Sequence, residues 1–162
     1  PKEAIVLETA FFARPATEVA RDLIGRTLVR QHGQECRRVM VTEVAAHEGG
    51  NSTAARRGMS YAPGTIFIMP FRGRVFLNIF TGGEGEASCV CIRGGVVQGA
   101  RQVALDGPAK LTGHLAITMA LDRSPSGNGL TLEGGAGNPA LVAQSRPTGA
   151  SDNCMSVFTL KS

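Results

Sequence analysis

Three polar residues interrupt segments that otherwise alternate like buried β-strands, and they are the residues best placed to do chemistry. Successive side chains of a strand point to opposite faces, so Glu43 is predicted to share one face with Val39 and Val41. Asn78 and Arg93 interrupt apolar rows of two later segments in the same way. A partly shielded carboxylate with a guanidinium nearby can orient and deprotonate a water molecule.

The same three residues also have purely structural interpretations. An isolated buried charge costs several kcal/mol, so buried polar groups usually have partners. Each of the three could lie in water at the end of a strand, or Glu43 and Arg93 could form a structural ion pair. The pattern alone leaves these alternatives open beside the catalytic one.

Short strands and helices must position these side chains. Alternation predicts strands at residues 27–31, 37–44, 65–69, 74–80 and 88–93, with weaker strands at 130–133 and 156–160. Helical spacing predicts one helix that starts at residues 14–18 and ends at Gly25, and a short one around residues 97–105. A further helix begins at residues 106–108 and carries the stripe Leu111, Leu115 and Met119, which should pack on the sheet.

Turn residues join the strands into two hairpins. Residues 32–34 link the first pair, and residues 70–73 link the second, whose tip is predicted to project Phe71 and Arg72. Residues 45–64 are rich in Gly, Ser, Ala and Arg and are predicted to form a basic surface loop.

Composition favours a globular domain with an affinity for polyanions. The chain has 162 residues, which fits one domain, and its net charge is +4. No apolar run approaches the roughly 20 residues of a membrane helix. Arg56, Arg57, Arg72 and Arg74 cluster in one stretch, and arginine suits phosphate contacts. The four cysteines form no zinc-ligand pattern, so no metal site is expected, and Cys89 and Cys91 are predicted to be buried thiols on one strand face.

Several fragments, in this order, resemble the alkyladenine (3-methyladenine) DNA glycosylase family, and together they cover roughly positions 7 to 121. They are Phe11-Phe12-Ala13-Arg14-Pro15, Leu23-Ile24-Gly25, Val41-Thr42-Glu43, Ala45-Ala46-His47, Arg57-Gly58-Met59, Pro63-Gly64-Thr65, Asn78-Ile79, Val90-Cys91-Ile92-Arg93 and Gly107-Pro108-Ala109-Lys110-Leu111-Thr112.

The resemblance implies an α+β fold: a single mixed domain over residues 1–162, with a curved antiparallel sheet, flanking helices and a protruding hairpin that inserts into DNA. It implies a monofunctional enzyme that flips alkylated, deaminated or etheno purines out of double-stranded DNA and hydrolyses their bond to the sugar. No cofactor is expected, and we expect a monomer that does not bind membranes. Such an enzyme would be nuclear in a eukaryote and cytoplasmic in a bacterium.

The resemblance also implies roles for individual residues. Glu43 matches the general base that activates the attacking water, and Arg93 matches the arginine beside it. His47 and Asn78 match residues of the base pocket. Arg72 stands at the position that inserts into the duplex, where the family commonly has a tyrosine, and a guanidinium can also stack on bases.

Two pocket positions depart from the family pattern. Ala45 and Met69 stand where the family has tyrosines, and the match near Ala45 requires a deletion of several residues. The only tyrosine of the chain, Tyr61, could replace them as a stacking partner together with Phe67, Phe71 and His47, or could simply pack on the core.

Two rival functions remain open on the sequence. The first is a DNA-binding module without catalysis, in which the hairpin and the arginines hold damaged DNA. The second is a bifunctional glycosylase and lyase, which needs an amine that forms a Schiff base with C1′. The candidate amines are Pro1, Lys2, Lys110 and Lys161.

Overall fold

Within the part of the chain that the structure describes, ten β-strands form one sheet in which every pair of neighbouring strands is antiparallel. The computed structural model describes residues 4–6, 9–48, 61–83, 85–99, 101–124, 129–134, 142–145 and 155–161. Few helices accompany the sheet, and this arrangement agrees with the predicted α+β class. None of the helices in these ranges has the length and apolar character needed to cross a membrane.

The order of strands places the candidate residues near the middle of the sheet. The strands are β1 Ala4–Val6, β2 Thr27–His32, β3 Glu35–His47, β4 Ile66–Phe71, β5 Arg74–Thr81, β6 Ser88–Val97, β7 Val103–Asp106, β8 Leu130–Glu133, β9 Val142–Ser145 and β10 Met155–Leu160. They are arranged β1-β8-β2-β3-β6-β5-β4, with β10 paired to β3 and β9, and β7 paired to β6. The three central strands β3, β6 and β5 therefore carry Glu43, Arg93 and Asn78 side by side.

The helices cover one face of the sheet and bury the main core there. They are α1 Thr9–Phe12, α2 Ala16–Leu23 and α3 Pro108–His114, followed by a 3₁₀ turn at Met119–Leu121. The core includes Val19, Leu23, Val39, Val41, Val44, Leu77, Ile79, Val90, Ile92 and Leu111. The opposite face carries two small clusters of its own, one with Ala45, Cys91 and Val157 and one with Phe67 and Phe80.

The helix α3 starts at proline, whose fixed φ and missing N–H suit the first helical turn. It packs on β5 and β6 as expected, and the Thr112 hydroxyl donates a hydrogen bond of 2.8 Å to the Val75 carbonyl. The predicted stripe is only partly correct. The helix ends at His114, so Leu115 is buried just beyond it, whereas Met119 is 46% exposed.

Two predicted segments need correction. The chain continues as strand β3 to His47, because β10 and β6 pair with it on both sides, so the start of the basic loop predicted for residues 45–64 is wrong. Residues 49–60 of that loop lie outside the described residues. The helix expected around residues 97–105 does not form. Val97 ends β6, and β7 pairs with β6 instead, so backbone hydrogen bonds between strands override the local helical pattern. Strands β1 and β9 were not anticipated.

Both predicted hairpins are present as antiparallel pairs, β2–β3 and β4–β5. In the second, Phe71 pairs with Arg74 around a two-residue turn of Arg72 and Gly73, so the turn is shorter than the predicted link. Both turn residues have positive φ, +51° and +77°, as in the type I′ turns that match the twist of hairpins. Pro70 lies within β4, which pairs with no second strand among the described residues.

Candidate active site

A row of side chains crosses four neighbouring strands on the face away from the helices. Phe67 of β4 pairs with Asn78 of β5, Asn78 pairs with Cys91 of β6, and Cys91 pairs with Ala45 of β3. Antiparallel pairing thus brings residues that are far apart in sequence into one row, in which each residue lies one strand spacing, about 4.8 Å, from the next. This row forms the floor of a cleft.

Neighbouring rows complete the cleft, whose volume is about 390 Å³. Its lining residues in the described part of the chain are Ala45, His47, Phe67, Met69, Phe76, Asn78, Cys89, Cys91, Arg93 and Pro108. The four residues predicted to form a base pocket, Ala45, His47, Met69 and Asn78, therefore come together. The mostly apolar lining with few polar groups is typical of small-ligand sites.

Two successive register shifts between β3 and β6 determine the face of the sheet on which Glu43 lies. Val41 pairs with Gly95, Glu43 with Gly94 and Val44 with Ile92, so each strand in turn has one extra residue. Because of this shift, Val44 rather than Glu43 continues the core face, and the prediction that Glu43 shares the face of Val41 is wrong.

Glu43 and Arg93 form an ion pair at the edge of the cleft. Arg93 Nε lies 3.4 Å from Glu43 Oε2, and their side chains are 35% and 37% exposed. The backbone N–H of Gly107 donates a hydrogen bond of 3.1 Å to the Arg93 carbonyl, which ties the start of α3 to this point. Arg93 lines the cleft, whereas Glu43 lines a separate hollow of about 340 Å³, so the ion pair lies between the two spaces.

Asn78 is 5% exposed and lines the cleft from the centre of β5. Its Nδ2 donates a weak hydrogen bond of 3.4 Å to the Phe76 carbonyl. A nearly buried carboxamide offers both a donor and an acceptor, so it can read the edge of a planar ligand. This is the kind of group that a base-selective pocket requires.

The thiol of Cys91 lies on the floor of the cleft beside the ion pair. Burial raises the pKa of Cys91 to about 12, which outweighs the opposing effect of Arg93. The thiol therefore stays protonated at neutral pH and behaves as a small apolar group. Cys89 is buried as well, as the sequence predicted.

The tip of the β4–β5 hairpin is exposed and cationic. Phe71 is 48% exposed, and its ring lies 5.6 Å from the ring of Phe76. The guanidinium carbon of Arg72 lies 5.2 Å from the centre of the Phe71 ring. Arg74 is exposed next to the turn. Arg56 and Arg57, predicted to contact the DNA backbone, fall outside the described residues.

Of the substitute stacking partners, Phe67 and His47 line the cleft, whereas Tyr61 and Phe71 do not. Tyr61 packs against Phe80 at 5.5 Å between ring centres, with Arg123 above its ring, so its packing is structural. Four lining residues had no predicted site role: Phe76, Cys89, Cys91 and Pro108. The signal for three of them was available, because they share the two-residue period of Asn78 and Arg93.

Comparison with known proteins identifies the family. A profile described as methylpurine-DNA glycosylase matches residues 10–152. A protein of Streptomyces avermitilis named "Putative 3-methyladenine DNA glycosylase" is 34% identical over 173 residues, which cover 90% of this chain and 81% of the relative. A protein of the same name from Methanocella arvoryzae is 34% identical over 140 residues, 72% of this chain and 70% of its own. The human "DNA-3-methyladenine glycosylase" is 38% identical over 95 residues, 51% of this chain and 31% of its own. The chain belongs to the methylpurine-DNA glycosylase family.

Proposed function

We propose that this protein is a monofunctional DNA glycosylase that flips a damaged purine out of double-stranded DNA and hydrolyses its glycosidic bond, the first step of base excision repair. The observation that carries the proposal is the ion pair of Glu43 and Arg93 beside a cleft lined by Asn78 and His47. Its substrates would be alkylated, deaminated or etheno purines.

The chemistry assigned to this site needs one general base and one water molecule. The bond between C1′ and the purine nitrogen breaks, and its electron pair leaves with the purine. The water oxygen bonds to C1′, and Glu43 accepts the proton of that water. Arg93 would hold the carboxylate in place as its ion-pair partner. A positively charged alkylpurine leaves without further help, whereas a neutral purine must also gain a proton.

The remaining residues would bind the DNA and the flipped base. Asn78 and His47 would contact the edge of the base, while Phe67 supports it from β4. Arg72 at the hairpin tip would fill the space that the base leaves, and Arg74 would contact a phosphate. The predicted backbone contacts of Arg56 and Arg57 belong to the same proposal. We also propose that the protein acts as a monomer.

The decisive experiment is the replacement Glu43→Gln. We expect base release from a duplex with 1,N6-ethenoadenine or hypoxanthine to fall below detection, while affinity for the same duplex changes by no more than a few-fold. The reason is that the carboxylate would activate the water and would not bind the DNA. Base release is followed under single-turnover conditions by alkaline cleavage of the product strand.

The matched control is Glu35→Gln, because Glu35 is an exposed carboxylate that also pairs with an arginine, Arg37, at the far end of β3. This variant should release bases at the normal rate. A large loss of DNA affinity in Glu43→Gln would contradict the role assigned to the carboxylate.

A non-catalytic module that binds damaged DNA is the second candidate, and one observation favours it. The cleft has Ala45 and Met69 at positions where the resemblance implies aromatic walls. Lesion binding without base release, unchanged in Glu43→Gln, would establish this alternative.

The third candidate is the lyase, which needs an amine. Lys110 pairs with Asp106 at 2.6 Å, and neither it nor Lys161 lines the cleft, whereas Pro1 and Lys2 lie outside the described residues. A covalent protein–DNA adduct trapped by borohydride would restore it.

A further inference from the structure

A second hollow adjoins the cleft on the side of the hairpin. Its volume is about 350 Å³, and its walls include Phe71, Phe76, Arg74, Pro108 and Lys110. Phe76 and Pro108 line both this hollow and the cleft, so the two spaces share a wall. Anything held in the hollow would therefore lie next to a base held in the cleft.

Phe71 presents an aromatic ring to this hollow. Three large hydrophobic residues among the described ones are exposed, Phe71, Val103 and Met119, and Phe71 is the aromatic one. Its ring packs against Phe76 at a tilt of 34°, and Arg72 lies over it, so its orientation is already restricted. A flat ring that is fixed in place loses little conformational entropy when another flat group stacks on it.

The charges around the hollow suit a nucleic acid strand. Three cationic residues, Arg72, Arg74 and Lys110, line it together with one carboxylate, Asp106, so the charged groups of the lining carry a net positive charge. Asp106 pairs with Lys110, and neither Arg72 nor Arg74 forms an ion pair with a carboxylate of the described residues. Two unpaired guanidinium groups beside an exposed aromatic ring match a base and its phosphates.

We propose that this hollow binds a second base: the one on the complementary strand that loses its partner when the damaged purine leaves the duplex. Phe71 is the stacking platform, and Arg74 contacts the adjoining phosphate. The inference rests on the proposed function, because it requires a base in the cleft and Arg72 in the gap. The hairpin places Phe71 directly beside Arg72, so the nearest unpaired base is the one facing that gap.

A double-mutant cycle tests the contact. Binding is measured in the Glu43→Gln background to prevent base release, with ethenoadenine placed opposite either thymine or a spacer that has no base. We expect Phe71→Ala to weaken binding about tenfold with thymine, because the stacking contact with that base is lost. With the spacer we expect no loss, because that duplex has no base to stack on Phe71. The cycle cancels the easier flipping that a missing partner causes.

Matched variants separate stacking from simple loss of apolar surface. Phe71→Trp should bind like the parent, and Phe71→Leu should bind like Phe71→Ala. Met119→Ala removes an equally exposed side chain and should have no effect on either duplex. Equal losses with thymine and with the spacer in Phe71→Ala would overturn the proposal.

A crosslinking experiment identifies the base directly. With 5-iodouracil opposite the lesion, irradiation should attach the DNA to Phe71, as mapped by mass spectrometry of the tryptic peptides. Attachment to Phe71 only when 5-iodouracil neighbours the lesion on its own strand would refute the complementary-strand assignment. Base release by the unmodified protein is measured in parallel, so failure of the glycosylase assignment would be seen separately.

Discussion

At the level of single residues, the cleft is unusual in that much of its lining consists of side chains without an aromatic ring. Ala45, Met69, Cys89 and Cys91 line it, and none of them offers a flat aromatic face. Base stacking on an aromatic side chain is worth about 1–3 kcal/mol per base. A base in this cleft would therefore be held by Phe67 and by polar contacts at its edge, with less stacking than tyrosine walls provide.

We therefore predict that Met69→Tyr tightens binding to lesion duplexes about tenfold, since it adds a stacking face to β4. Met69 is half-buried and paired with Phe76, so a larger flat ring can extend along the cleft. The measurement is the affinity for ethenoadenine duplexes and for undamaged duplexes. Met119→Tyr is the control for a new tyrosine outside the cleft, and an equal gain on undamaged DNA would speak against a wall for the base.

At the level of elements, the β4–β5 hairpin combines a regular turn with an unfavourable residue. Arg72 has φ +51°, a region where residues other than glycine, asparagine and aspartate are uncommon. Glycine would suit this turn position better, as it does at Gly73. Strain of this kind tends to persist where the side chain has a function.

Arg72→Gly is accordingly expected to raise the free energy of unfolding by about 0.5–1 kcal/mol, because it relieves the backbone strain. The same variant should bind lesion duplexes more weakly than the parent and undamaged duplexes almost equally, since a wedge acts on base flipping. Denaturant unfolding and binding are measured on the same preparation. Loss of stability in this variant would instead mean that Arg72 supports the fold.

The sequence predicted the central elements because their side chains alternate clearly. The strands that carry Asn78 and Arg93 follow from this period, the two hairpins follow from it together with their turn residues, and α2 follows from its separate helical spacing. The face of Glu43 could not be predicted, since a bulge depends on how β3 pairs with β6 and leaves no mark in either segment alone. The helix expected before Asp106 failed for a related reason, as β7 gains its backbone partners from β6, the strand that precedes it, and the helical pattern of residues 97–105 does not show this pairing.

At the level of the whole molecule, four cationic side chains lie where the cleft opens. Arg72, Arg74 and Lys110 lie beside it, and Arg93 borders it. Further arginines are used in the fold: Arg30, for example, is 8% exposed and donates to the carbonyls of Leu115 and Ala116. The net charge of +4 is therefore a poor guide to the number of groups that meet DNA.

Affinity for DNA should fall steeply with salt, and Arg74→Gln should reduce the slope of log K against log salt by about 1. The physical reason is that one fewer phosphate is neutralised and fewer counterions are released. Arg37→Gln should leave the slope unchanged, because Arg37 pairs with Glu35 about 20 Å along β3 from Glu43. Equal slopes in all three proteins would exclude Arg74 from the DNA contact.

Pro70 gives the outer strand a further property. The unpaired edge of an outer strand is a template on which other polypeptides can add by backbone hydrogen bonding, and such pairing leads to aggregates. A proline ring has no N–H to offer and interrupts that template next to the hairpin tip. The protein can thus expose an aromatic, cationic hairpin tip, while Pro70 interrupts the row of backbone donors with which another strand would pair.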